Sequence, residues 1–229
     1  MFDPQPATIA KTSDGQEFPV RRLFCIGRNY ADHAKEMGVE VDREAPFYFT
    51  KWAETVMPSG ATIAYPPQTS NYHYEAELVI AIAKGGRNIA VEDALGHVMG
   101  FATGLDMTRR DLQLEARAKG RPWDTGKNFE ESSPLGLVHP IAETGDMASG
   151  SIRLTVNGDV KQDGDLADLI HSVPEVIAFI SRGYRLEPGD LIYTGTPAGV
   201  GAVKPGDEVV VSIAGLSDTV VTIGDLAND

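Results

Sequence analysis

The sequence is short of cysteine, of long apolar runs and of positive charge, and each shortage excludes something. Cys25 is the only cysteine among 229 residues, so no disulfide can form within the chain and a reducing cytoplasm is the expected setting. The longest uninterrupted apolar stretch, Leu78 to Ala83, is far below the roughly 20 residues that a membrane-crossing helix needs, which predicts a soluble protein with no membrane partner. The opening MFDPQPATIAKTSDGQ has neither a basic start followed by an apolar run nor a small-residue cleavage site, so export is not expected. Lys and Arg number 20 against 33 Asp and Glu, and a net charge of -13 has the wrong sign for a surface that tracks nucleic acid.

What is present is a globular composition dominated by strand signals. Hydrophobic residues make up 42% of the chain, enough for a full core, and no linker, repeat or low-complexity block divides it. Residues 1–17 read as a leader or small hairpin and 18–229 as one main domain. Short β-branched runs recur at Val20 to Ile26, Phe47 to Lys51, Ala61 to Tyr65, Glu75 to Ala83, Val98 to Leu105, Ile152 to Val156, Leu191 to Tyr193, Glu208 to Ile213 and Thr219 to Ile223. Asn157-Gly158 between two such runs predicts a type I′ hairpin turn. Helical periodicity is confined to Asn29 to Met37, Val91 to His97, Thr108 to Lys119 and Ser172 to Ser181, so the expected fold is β-rich α+β. The excess acid gathers after residue 140. Arg109, Arg110, Arg117, Lys119, Arg121 and Lys127 form a locally basic segment, either a solvated helix face or a lure for a small anionic substrate.

Three acids stand out. In a strand, residues i and i+2 share a face, so Glu75 and Glu77 lie side by side, roughly 6 to 7 Å apart; either a cation sits between them or that strand end is wet. Asp106 ends the next strand, in Phe101-Ala102-Thr103-Gly104-Leu105-Asp106, and would complete an all-oxygen site. Carboxylates without Cys or clustered His favour magnesium, manganese or calcium over zinc, and magnesium or manganese suits catalysis better. His73 shares the face of the two glutamates. His97, His139 and His171 read as structural, and Cys25 as a buried apolar residue.

His33 and Glu36, at i and i+3 on a short helix closed by Gly38, lie on one face. A carboxylate beside an imidazole fixes its tautomer and raises its basicity, which suits deprotonation of water; the same pair also fits an ordinary helix surface. The stretch Thr194-Gly195-Thr196-Pro197-Ala198-Gly199-Val200-Gly201 leaves a strand with backbone N–H groups able to cradle a carboxylate, or simply turns between strands. Lys127 is either a cation aimed at a substrate anion or a surface lysine.

These pieces together resemble the fumarylacetoacetate hydrolase superfamily from about Leu23 to the end of the chain. The matching segments are GRNYADHAKEMG at 27–38, YEAELVIAIAKGGRNI at 74–89, GFATGLDMTRRDLQ at 100–113, GRPWDTGKNFEESSPLG at 120–136 and TGTPAGVG at 194–201, followed by Lys204-Pro205-Gly206-Asp207. The chain is most similar to the short acylpyruvate and fumarylpyruvate hydrolase type. The resemblance implies a mixed β-sandwich or roll barrel of the C-terminal-domain type, usually a homodimer. It implies that Glu75, Glu77 and Asp106 hold Mg2+ or Mn2+, that His33 and Glu36 activate water on a mobile lid, and that Lys127 neutralises substrate charge. Thr196 would bind the substrate carboxylate, and Arg28, Arg109 and Gln113 would line the pocket. The implied reaction is hydrolysis of a carbon–carbon bond in a small anionic 2,4-dioxo acid, with fumarylpyruvate the first choice. Oxaloacetate decarboxylation, or isomerisation of an unsaturated 2-oxo dicarboxylic acid, is the alternative on the same enolate chemistry.

Overall fold

A computed structural model describes residues 6–36 and 45–227. The sequence Ala76–Ile82 is apolar at almost every position because the strand it forms is buried on both faces. Leu78, Ile80 and Ile82 point into one core and Val79 and Ala81 into another, as the two-residue alternation of a strand dictates. This strand is near the middle of an eight-stranded mixed sheet ordered Phe47–Lys51, Arg22–Gly27, Asp190–Tyr193, Ala76–Ile82, Val98–Leu105, Ser133–Leu135 and Val56–Pro58, with His139–Pro140 also paired to Val98–Leu105. A second sheet of five strands runs Asp159–Asp165, Ser151–Val156, Glu208–Ile213, Thr219–Leu226 and Thr62–Tyr65.

The larger core lies between these sheets, where Phe24, Leu78, Ile80 and Phe101 meet Ile152, Leu154, Val209 and Val221. Burying each such side chain stabilises the fold by about 1.5–3 kcal/mol before the entropy of ordering is counted. The helix Val173–Gly183 adds Val176, Ile177 and Ile180 to that core; Ser172 and Glu175 close a capping box at its start and a proline occupies its first turn. On the other face of the large sheet, Leu23, Cys25, Val79 and Leu191 pack against Ala10 and Phe18 of an N-terminal hairpin, Ile9–Lys11 with Glu17–Pro19. That hairpin runs past the expected division at residue 17.

The sandwich of mixed sheets with few helices is the β-rich α+β architecture expected. Asn157 and Gly158 have φ of 53° and 85°, the paired positive values of a type I′ turn. Two expectations are corrected. Val91–His97 is a 3-10 helix, a short segment with no side-chain cap at Ala90 and a glycine near its end. The helix expected from Thr108 starts at Arg110, because Thr108–Arg109 pairs as a strand with Tyr72–Tyr74. The helix carrying His33 is described over Ala31–Glu36; its expected close at Gly38 lies outside the described residues. Among the described residues no helix is long and apolar enough to cross a membrane.

Candidate active site

The antiparallel register between the two central strands assembles the acids. Ala76 pairs with Leu105 and Glu77 with Gly104, so Asp106 comes opposite Glu75, and its N–H donates to the Glu75 carbonyl at 2.9 Å. Glu75, Glu77 and Asp106 are all buried, with one carboxylate oxygen of each within 4.8 Å of the others. Glu75 lies one residue before its strand rather than inside it.

Three buried cations surround this cluster. Lys127 Nζ donates to Glu75 Oε2, Asp106 Oδ2 and Thr108 Oγ1, each at 2.7 Å. Lys51 Nζ donates to Asp106 Oδ1 at 2.8 Å and to the Ser132 carbonyl at 2.6 Å. Arg110 pairs with Glu75 and donates to Gln113 Oε1 at 2.5 Å. Burial works against the charged form of Glu75, yet Lys127 and Arg110 hold its carboxyl well below the usual range. Lys127 likewise overcomes burial through Asp106 and Glu75 and is raised. His73 accepts from Arg110 Nε at 3.4 Å, and burial with the adjacent Arg110 charge pushes its pKa down to about 4, so it is a neutral prop behind the cluster.

Glu77 is different. Its carboxylate accepts the Gly195 N–H at 2.7 Å and has no ion pair among the described residues. Burial, with Asp106 and Glu75 beside it, raises its pKa well above the ordinary value. A buried, under-compensated carboxylate converging with two others in an all-oxygen set is the donor chemistry that a hard divalent cation satisfies, so the residues present fit a magnesium or manganese ion.

The glycine loop does more than the sequence suggests. Gly195 and Gly199 have φ of 99° and 97°, and a Cβ on either would stand 2.8 Å from Asn29 Cβ or 2.1 Å from the Lys161 carbonyl oxygen. Those same residues present N–H groups to protein carboxylates: Gly195 to Glu77, and Gly199 to Glu36 at 3.2 Å. Glu36 Oε2 is 3.2 Å from His33 Nδ1. An ionised carboxylate only accepts, so Nδ1 carries the proton and Nε2 is left as the base. Thr196 is buried, and its Oγ1 accepts from Gln162 Nε2 at 2.8 Å, which frees its own proton to donate.

One cavity takes in Glu75, Glu77, Asp106, Lys127, His33 and Thr196. Arg28 and Gln113 also line it. Arg109 does not: its guanidinium stacks on Phe129 at 4.2 Å, and Arg110 stands at the site in its place. The two-residue alternation from Asp106 through Thr108 to Arg110 is the signal that selects Arg110. Lys51 was legible in the same way, since Phe47, Phe49 and Lys51 alternate along one strand and Phe49 lines the cavity. Gln162, more than 80 residues from either glutamate, carried no local signal.

A strand-rich sandwich holding a buried carboxylate triad beside a His–Glu pair defines a class of metal-dependent enzyme. The profile of the fumarylacetoacetate (FAA) hydrolase C-terminal family matches residues 22–229, and the chain belongs to that family. It is 52% identical over 190 residues to fumarylpyruvate hydrolase of Ralstonia sp, covering 82% of this chain and 98% of that one. A mitochondrial oxaloacetate tautomerase of Homo sapiens is 40% identical, covering 86% of this chain and 88% of the relative. The crystal structure of fumarylpyruvate hydrolase from Pseudomonas aeruginosa in complex with Mn2+ and pyruvate superposes with a TM-score of 0.96 at 47% identity, covering 99% of each chain.

Proposed function

We propose that this protein is a metal-dependent acylpyruvate hydrolase that cleaves fumarylpyruvate to fumarate and pyruvate. The observation that carries the reading is the convergence, in one cavity, of three buried carboxylates with a His33–Glu36 pair. Glu75, Glu77 and Asp106 would hold Mg2+ or Mn2+, which when bound supplies Lewis-acid polarisation of the 2-oxo acid end and neutralises charge on the departing pyruvate.

The chain's own residues do the rest. Thr196 donates its hydroxyl to the substrate 1-carboxylate, and Lys127 and Arg110 keep Glu75 ionised while adding positive potential at the substrate. His33 Nε2, oriented by Glu36, takes a proton from water as its oxygen bonds to C4. The C3–C4 bond then breaks, its electron pair leaves as the pyruvate enolate, and His33 returns the proton to C3. Gln113, fixed by Arg110, lines the path.

The test is turnover of fumarylpyruvate in labelled water. Label in the product fumarate and loss of at least 100-fold in kcat for His33→Ala support the reading; removal of a proton with no label incorporated points instead to isomerase or tautomerase chemistry. Oxaloacetate is the comparison substrate, given the 40% identical tautomerase. A His33→Ala variant that still decarboxylates it would show the carboxylate cluster working without the dyad.

The cytoplasm and a homodimer complete the reading. Cys25 is free and buried, which suits a reducing compartment. The exposed apolar side chains of Ile9 and Leu137 gather in a cavity beside the edge strand Val56–Pro58, a surface that pairing of two copies would cover. Sedimentation equilibrium of wild type and Leu137→Glu tests the dimer.

A further inference from the structure

The carboxylate cluster is electrically balanced by the chain itself. Lys127 Nζ donates to Glu75, Asp106 and Thr108 at once, and three donations from one nitrogen need all three protons of an ammonium. Arg110, a permanent cation, pairs with Glu75, and Lys51 pairs with Asp106. Three ionised carboxylates therefore face three cations. The set is neutral as a whole, although its cations crowd onto Glu75 and Asp106 and leave Glu77 without an ion pair among the described residues. No further acid among the described residues lines the cavity, and Glu36, on the dyad helix, is turned to His33 Nδ1 and the Gly199 N–H.

Within this set Lys51 stands apart. It ends the strand Phe47–Lys51, opposite Leu23, with its side chain fully buried, and it is not among the residues that line the cavity. Its ammonium is fixed by Asp106 Oδ1 at 2.8 Å and the Ser132 carbonyl at 2.6 Å, with the Phe129 ring 5.8 Å away. A ligand in the cavity does not touch it, so whatever it does for the site passes through Asp106. Desolvating a lysine is costly, and Asp106 already has a cation, Lys127, at its other oxygen. What the second cation changes is the charge of the loaded site. With Lys51 in place, a divalent ion on the three acids brings two positive charges that the set does not offset; with a neutral side chain there, it would bring one. Excess charge in a buried site is unfavourable. The ion is therefore held weakly alone and strongly beside an anion that supplies two negative charges, and a monoanion of the same shape leaves half of the excess standing. The intact 2-oxo acid end supplies one such charge, whereas a carboxylate with an enolate oxygen supplies two, the state that cleavage produces.

We propose that Lys51 sets the charge of the site through Asp106, so that the divalent cation and a dianionic oxyacid bind cooperatively while a monoanion gains much less. The inference rests on the metal-dependent hydrolase reading above and adds to it a dependence of metal affinity on ligand charge. By linkage, the factor that the anion adds to metal affinity is the factor that the metal adds to the anion.

The experiment titrates Mn2+ into EDTA-treated protein, following free Mn2+ by its electron paramagnetic resonance signal, with no anion, with oxalate or with oxamate. The two anions differ by an oxygen against an amide nitrogen, one charge at nearly the same shape. In wild type, oxalate should tighten Mn2+ binding roughly 10-fold or more beyond oxamate, after correction for the ratio of their Mn2+ complexes in free solution. Lys51→Gln, which keeps a hydrogen-bond donor without the charge, should tighten Mn2+ alone by a similar factor and bring the corrected ratio down to one or below. Lys51→Met should do the same, and Lys51→Arg should keep the wild-type ratio. A merely structural lysine would instead weaken Mn2+ in every variant and move both anions together. A wild-type ratio near one overturns the proposal even where no variant folds, and so does a folded Lys51→Gln protein that holds Mn2+ no more tightly than wild type. If Mn2+ binds neither alone nor with oxalate, the metal reading falls together with the coupling. The expected ratios in a protein that turns over no acylpyruvate would sink the hydrolase reading and leave the coupling in place.

Discussion

Glu77 carries the least compensated charge in the site, and its environment sets how the protein responds to pH and to metal. Its pKa is raised by burial and by Asp106 and Glu75, so the folded metal-free chain keeps a proton that the unfolded chain releases in the ordinary glutamate range. Its contribution to stability is therefore fully present below that range and is lost as pH rises toward the folded value. Glu75 runs the opposite way: held below the ordinary range against its burial by Lys127 and Arg110, it stabilises the fold at neutral pH and loses that contribution on acidification. Glu77→Gln should accordingly raise the thermal midpoint of metal-free protein at pH 8, flatten its decline between pH 5 and 8, and abolish the shift on adding Mn2+. In wild type that shift should reach about 5–10 °C at a hundredfold excess over Kd, since such saturation supplies about 2.7 kcal/mol. Differential scanning fluorimetry with EDTA or Mn2+ checks each part. A second residue-scale prediction separates neighbours. Arg110→Gln leaves Glu75 with one fewer cation in a buried cluster and should cost about 3 kcal/mol or more of stability together with most activity. Arg109→Gln, which loses a ring contact and a 3.4 Å bond to the Thr125 carbonyl, should stay within about 1 kcal/mol of wild type. Denaturant titrations and kcat measured side by side decide it.

Among the elements, the loop 194–201 is the one whose backbone, rather than its side chains, does the holding. Gly199→Ala brings a Cβ to 2.1 Å from the Lys161 carbonyl and forces a left-handed φ on alanine, so the loop must move and release Glu36. Gly206→Ala meets the same sign of φ, 89°, with nothing within 4 Å of the new Cβ. The first should lose at least tenfold in kcat and several degrees in midpoint; the second should cost about 1–2 kcal/mol and leave kcat near wild type. This contrast also shows what could be read from sequence and what could not. Strand alternation and strand-end acids made Glu75, Glu77 and Asp106 visible, and helical spacing made His33 and Glu36 visible, because each depends on a local period. That a glycine N–H would reach Glu36, 163 residues away, depends on two loops meeting in space. Arg109 entered the site only through the family resemblance; the strand pairing of Thr108–Arg109 turns it onto Phe129, while Arg110, the first residue of the following helix, reaches the cavity.

At the scale of the whole molecule, Gln162 ties together parts that would otherwise be independent. It belongs to the five-stranded sheet, in Asp159–Asp165, beside the register shift between Leu154 and Thr155 that lets its side chain turn inward. Its Oε1 accepts the Ala76 N–H at 2.9 Å, the one amide between the two glutamates, while Nε2 donates to Thr196 Oγ1 and to the Pro197 carbonyl, both at 2.8 Å. One fully buried amide thus fixes the carboxylate strand of one sheet, the glycine loop and the other sheet against each other. Gln162→Leu fills the volume but leaves a buried N–H and a buried carbonyl without partners and turns the Thr196 hydroxyl loose. Each stranded group costs about 1–3 kcal/mol, so the variant should lose roughly 2–6 kcal/mol, a large share of the stability of a single domain. Gln162→Glu tests the geometry instead of the volume: its acid keeps the acceptor toward Ala76 but, when ionised, offers no proton to Thr196 or Pro197. If the bridge aligns Thr196, Gln162→Glu should raise KM for the acylpyruvate more than it lowers kcat, and a folded variant with both constants unchanged would show that the loop keeps its place without it.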